Sequence, residues 1–220
     1  MKTLPYLCFC ILLFACGQQE SSKKETSEEK EETPVENVAV ETEDTRTMFI
    51  DVHNLGEGNV TGEAVAEAHK KDLALQDSLD VNFVKYWVDE EHGKVYCLSK
   101  AHKQEDVVGI HTNAHGLIPD YVREVTDGVA AEMKGGNNLY LDIHELGEGN
   151  VTAEDVAEAH NKDLAIQEQY GVNFINYWVD ESAGTVICLS EAPSSEAVAA
   201  THKEAHGLIP ESVSLVTQGE

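Results

Sequence analysis

Six side chains in the first half of the chain are of types that hold a transition metal: His53, His69, Asp72, Cys97, His111 and His115. Each recurs 91 residues later, as His144, His160, Asp163, Cys188, His202 and His206. Neutral imidazole is a borderline ligand suited to nickel, zinc and copper, and a thiolate is a soft one. Asp72 serves either as a ligand or as the acceptor that fixes a histidine tautomer. The same residues have other uses. His53, His69, Asp72 and Cys97 are also acid-base and nucleophilic groups for an enzyme. A His-Asp-Gln set inside a core can equally be a hydrogen-bond network, and a small buried cysteine is an ordinary core residue. Recurrence alone does not decide. Of six histidine columns four are shared, while His92 faces Ala183 and His102 faces Pro193, a ratio close to the identity of the repeats as a whole.

The elements that carry these residues follow from periodicity. Met48 to His53 reads as a strand, and Thr61 is a good N-cap for a helix from Gly62 to about Leu79. On that helix Val65, Ala68, Leu75 and Leu79 form the inward stripe, and His69, Asp72 and Gln76 fall within it. Glu67, Lys70 and Lys71 take the outer face. Val81 to Asp89 and Lys94 to Ser99 read as strands joined by a turn. A second helix from Gln104 to His115 places His111 at the centre of its inward face, and Gly116 fits its C-cap. A last strand runs from Tyr121 to Thr126.

This β-α-β-β-α-β order in about 80 residues predicts an α+β fold, the ferredoxin-like split βαβ, with four antiparallel strands and both helices on one face. It brings His53, the Gly56-Glu57-Gly58 loop and His115 to one end, with His69 and His111 facing each other between the helices. Whether Asp51, His53 and Cys97 share the helix face is a matter of strand parity that the sequence leaves open. The unit occurs twice without insertion or deletion: about 46 of the 79 positions from Phe49 to Asp127 match Tyr140 to Gln218. The expected domains are residues 47–127 and 139–220, joined by a linker over 128–138 that contains Gly135-Gly136-Asn137-Asn138. Two such units can pack sheet to sheet as a pseudo-dimer. Trp87 and Trp178 read as packing residues.

Residues 1–15 have a positive Lys2 and an apolar stretch too short for a membrane-spanning helix, which needs about 20 residues. The run Leu13-Phe14-Ala15-Cys16-Gly17 resembles the lipobox of bacterial lipoproteins, which implies cleavage before Cys16 and lipidation of its thiol. Residues 16–46 are rich in Glu, Lys, Ser and Thr, without apolar periodicity, and read as a disordered tether. About 30 flexible residues span on the order of 30 Å. The expected location is the cell envelope, anchored to a membrane by lipid alone. Only Cys97 and Cys188 then remain in the folded part, too few for a disulfide framework. A formal charge of −26 repels nucleic acid and attracts cations.

The motifs carry a resemblance. Phe49-Ile50-Asp51-Val52-His53, then Ala68-His69-x-x-Asp72-Leu73-x-x-Gln76, Tyr86-Trp87-x-Asp89-Glu90, Cys97-Leu98 and His111-x-x-x-His115-Gly116-Leu117 resemble a family of small bacterial ferredoxin-like domains labelled nickel-binding proteins. The second unit matches at Asp142, His144, His160, Asp163, Gln167, Tyr177, Trp178, Cys188, His202 and His206. The resemblance implies a divalent transition metal, nickel first, with zinc and copper as alternatives. The usual member is a single domain, so the second copy is expected to replace a partner subunit. On this reading His69, His111 and His115 are the first choice of ligands, with His53, Asp72 and Cys97 as further candidates, and one site per repeat. The competing functions are a small-molecule enzyme, for which no phosphate loop or nucleophile motif speaks, and a non-catalytic interaction module.

Overall fold

A computed structural model describes residues 44–220, all of which fall in one compact unit. The expected signal segment, Cys16 and the tether up to residue 43 lie outside the described residues. The first repeat comprises β1 (Thr47–Asn54), α1 (Gly62–Leu75), β2 (Asn82–Asp89), β3 (Lys94–Ala101), α2 (Gln104–Ala114), β4 (Tyr121–Glu124) and β5 (Thr126–Asp127). The second comprises β6 (Asn138–Glu145), α3 (Ala153–Ile166), β7 (Asn173–Asp180), β8 (Thr185–Ala192), α4 (Ser195–Ala205) and β9 (Ser212–Gly219). Each repeat is thus the expected α+β unit. Thr61 caps α1 by accepting from the Ala64 N–H, and Thr152 forms a capping box with Asp155 at α3.

The first helix is one turn shorter than its periodicity suggests. The α-helix ends at Leu75, and Gln76–Ser78 continue as a 3-10 turn. Gln76 causes the exit: its carbonyl accepts from Val81 N (3.0 Å) and its side chain from Phe83 N (3.3 Å), which turns the chain into β2.

All strand pairs are antiparallel, in the order β4-β1-β3-β2-β9-β6-β8-β7-β5. The four strands of each repeat are neighbours, and the repeats exchange their last strands. β9 runs on to pair with β2, placing Val88 opposite Thr217 and Trp87 opposite Gln218. At the other seam β5 pairs with β7, placing Val179 opposite Thr126 and Trp178 opposite Asp127. Only Val125 separates β4 from β5, so the two ends of the sheet are one run of chain and the sheet closes on itself. Closure removes the open edges that would otherwise template pairing with another chain.

Inside this closed sheet lies a core common to both repeats. Ile50, Val52, Trp87 and Leu98 meet Leu141, Trp178, Ile187 and Leu189, and the two indole rings stand 4.9 Å apart. The pseudo-dimer is therefore real packing: neither repeat has an inner core of its own. The helices cover the outside, with Phe49, Val107 and Ile110 in one layer and Tyr140, Phe174 and Val198 in its counterpart. Residues 128–138 are less free than a linker of their composition. Gly128 N and Ala131 N donate to carbonyls of β7, and the buried Glu191 carboxylate accepts from Lys134 N (2.6 Å) and Gly135 N (2.7 Å).

Candidate metal centre

Strand parity settles which side chains converge. Successive residues of a strand face opposite sides, and Ile50 and Val52 occupy the inner core. Phe49, Asp51 and His53 therefore face the helices. β3 sets Cys97 directly opposite Asp51, so the thiol shares that face. From the helix side come Asp72 on α1, and His111 with His115 one turn apart at the end of α2.

Ligating atoms of Asp51, His53, Cys97 and His111 all lie within 4.8 Å of one another, and the four residues are buried. Asp142, His144, Cys188 and His202 repeat the group. A second group, Asp72, His111 and His115, shares the central histidine, and Asp163, His202 and His206 match it.

Hydrogen bonds define the role of each ring. Leu117 N donates to His115 Nδ1 (3.1 Å), so the neutral ring carries its proton on Nε2. That nitrogen faces Asp72 at 3.1 and 3.2 Å. Asp72 Oδ1 also lies 3.2 Å from His111 Nδ1. His111 Nδ1 is also 3.2 Å from His115 Nε2. In the second repeat His202 Nδ1 hydrogen-bonds Asp163 Oδ1 at 3.1 Å, and an Nδ1–H donated there leaves the Nε2 lone pair of a neutral His202 directed at the strand residues. In the first repeat Asp51 Oδ1 stands 3.3 Å from His111 Nε2 and 3.3 Å from His53 Nε2. Neither approach has hydrogen-bond alignment: both Asp51 oxygens and His111 Nε2 are buried without a partner. The second repeat reproduces this at 3.3 and 3.4 Å, with both Asp142 oxygens and His202 Nε2 unpartnered.

Buried polar atoms of a core network find partners. A carboxylate and an imidazole nitrogen that face each other without partners, beside a second imidazole and a thiol, match the donors of a single ion. Metal bonds of about 2.0–2.3 Å put donors up to roughly 4.6 Å apart, close to the span observed. The residues present thus fit a transition metal.

The charges are finely balanced. Burial disfavours a charged His111, but Asp51 and Asp72 on its two sides more than offset that and raise its pKa to about 9. His202 behaves likewise, at about 10. Burial works to raise the pKa of Asp51, yet His111 and His53 hold it below the usual carboxylate range. Burial, with the Asp51 and Asp72 charges adding to it, pushes the Cys97 thiol well up, and Cys188 follows. Without a metal the thiol is protonated and a poor nucleophile.

His69 sits elsewhere. Its ring packs against Tyr86 (4.7 Å between centroids) and Phe83 (5.5 Å), and burial lowers its pKa. His111 touches the same Phe83 ring at 5.4 Å, so the two histidines meet through an aromatic side chain. His160 has the same surroundings in Tyr177 and Phe174. Both histidines line the cavities at the donor groups, but they stand outside the groups themselves. Asp51 and Asp142 are the residues that the candidate list lacked. The signal for them is a charge within an apolar strand, Phe49-Ile50-Asp51-Val52, kept in both repeats.

A family model of the nickel responsive protein SCO4226-like kind matches residues 49–125 and, again, residues 140–216. The chain belongs to this family. Among solved structures it is similar to SCO4226 from Streptomyces coelicolor A3(2), with 34% identity over 37% of this chain and 99% of that one, at a TM-score of 0.35. That relative therefore has the length of one repeat. A putative monooxygenase from Lactobacillus acidophilus NCFM aligns with 79% of this chain and 94% of its own at 11% identity and a TM-score of 0.44. A mutant chlorite dismutase from Candidatus Nitrospira defluvii aligns with 79% and 90% at 10% identity and a TM-score of 0.46. No curated protein sequence matches the chain.

Proposed function

We propose that this protein binds one divalent transition ion per repeat, nickel first, and holds it at the cell envelope as a lipid-anchored buffer or carrier. Asp51, His53, Cys97 and His111 are the donors of the first site, and Asp142, His144, Cys188 and His202 those of the second. Asp72 holds the far side of His111, and His115 in turn holds Asp72, the outer support that orients a ligating imidazole. The observation that carries the reading is the pair of unpartnered Asp51 oxygens facing His53 and His111. An enzyme built on Cys97 needs a thiolate near neutral pH, and the surroundings of this thiol oppose one. The family description, nickel responsive, agrees in metal class. Anchoring through Cys16 rests on the lipobox pattern, and the net charge of −26 would concentrate cations around such a protein.

Elemental analysis of the purified chain, followed by thermal melts with nickel, zinc and copper, tests the metal. Two equivalents of one ion, with a raised melting temperature, are expected. No bound ion and no shift at excess metal would sink the proposal. Metabolic labelling with a fatty acid, lost in Cys16→Ser, tests the anchor.

A further inference from the structure

A site that merely stores an ion closes protein donors around it, whereas a site with further chemistry keeps a coordination position open. Here three of the four donors in each repeat line the floor of a chamber. The first repeat has a cavity of about 130 Å³ on His53, Cys97 and His111, and the second has one of about 120 Å³ on His144, Cys188 and His202. The walls are apolar: Leu55, Val60, Val65, Ala68 and Val95 in the first chamber. Leu117, 46% exposed, lines it toward solvent. Its equivalent Leu208 does so in the second. The five aliphatic wall positions recur in the second chamber as Leu146, Val151, Val156, Ala159 and Val186, although Asp155 stands there in the place of Ala64.

We propose that each chamber admits a compact neutral nitrogen donor, a small heteroaromatic of about imidazole size, seated against His69 in the first repeat and His160 in the second. This rests on the metal reading above. Size argues for it, because an apolar cavity of about 150 Å³ takes one benzene ring. Charge argues for a neutral guest. The floor already holds the buried Asp72, and Asp51 stands within 4.8 Å of the donors that line it, in a chain of formal charge −26, so an anion would be repelled. A neutral ring nitrogen suits an ion of the nickel class, and the rest of the ring meets the aliphatic walls. His69 supplies the polar contact: its ring lines the cavity, held by aromatic neighbours and standing outside the donor group. This gives His69 and His160 a binding role distinct from ligating the metal.

The probe is imidazole, titrated into the full chain loaded with nickel and followed by visible absorption and calorimetry. A saturable spectral shift is expected, with one imidazole for each bound ion. Ala68→Leu/Ala159→Leu, which fills the chambers, should keep both nickel ions and lose the shift. His69→Ala/His160→Ala should keep both ions and weaken imidazole about tenfold, the loss of one net hydrogen bond. Should the leucine variant fail to fold, His69→Phe/His160→Phe, which keeps the aromatic packing, serves in its place and should weaken imidazole in the same way. Retained nickel without a saturable shift below about 50 mM imidazole overturns this inference alone. An undiminished shift in the histidine variants overturns it too. A chain that retains no nickel overturns the metal reading, and this inference with it.

Discussion

Asp51 Oδ1 stands 3.3 Å from His111 Nε2, yet neither atom has a hydrogen-bond partner. The carboxylate is fully buried, and the ring is held from behind by Asp72. Replacing the charge with an amide separates its two effects. Asp51→Asn/Asp142→Asn should drop the His111 and His202 pKa values from about 9 and about 10 toward the ordinary histidine value, as read by NMR titration of the metal-free chain. It should also weaken metal binding about 100-fold or more, since lesser outer partners already cost 10–100-fold. Unchanged affinity would remove Asp51 from the donor set.

Proton and metal compete for the same nitrogen. His111, flanked by Asp51, Asp72, His53, His115 and Cys97, has a folded pKa of about 9, above the ordinary value of about 6.5. Its contribution to the stability of the metal-free chain is therefore complete below about pH 6.5 and is lost as pH rises through about 9. Metal binding runs the opposite way, because the ring must be unprotonated to ligate. Affinity should climb about tenfold per pH unit for each proton released between about pH 6.5 and 9, where a site of unperturbed histidines levels off. Competition titrations with a chromogenic chelator at successive pH values would read this slope. A plateau above pH 7 would contradict it.

Cys97 and Cys188 are buried thiols pushed well above their usual pKa, so a metal-free chain should react slowly with thiol reagents at neutral pH. An ion would bind them as thiolates. The nickel-loaded chain should then show a near-ultraviolet sulfur-to-metal absorption, about half as strong in Cys97→Ser and absent in Cys97→Ser/Cys188→Ser. An identical spectrum in the double variant would place the ion away from both thiols.

Much of this was legible in the sequence. Apolar periodicity located the four helices, and it turned His69, Asp72 and His111 inward, where they lie. The limits have physical causes. In β1 both faces are buried, one in the inner core and one under the helices, so Ile50 and Val52 alternate with Phe49, Asp51 and His53 without a solvent side to mark. Parity then appears only once the strands are paired. For His69 a helical wheel gives direction but not neighbours, and the structure sets Phe83 and Tyr86 next to its ring. The strand exchange left a faint trace: Gly128 and Gly219 extend the 91-residue match past its last strand, where composition suggests only the start of a linker.

Those two glycines test how the repeats are joined. A Cβ at Gly128 would run into the Tyr177 ring, and one at Gly219 into the Tyr86 ring, each tyrosine belonging to the other repeat. Tyr177 and Tyr86 in turn pack against His160 and His69, so the seam touches the wall of each candidate site. Gly128→Ala should cost about 1–3 kcal/mol through overpacking, measured by denaturant unfolding. Because Trp87 and Trp178 share one core, the loss should lower the midpoint of a single transition that includes both repeats. The same logic applies to the metal: His202→Ala, which disables one donor group, should halve the nickel content while the chain still melts in one step. Two separated transitions in either variant would mean that the repeats fold independently and that the exchanged strands contribute little to joining them.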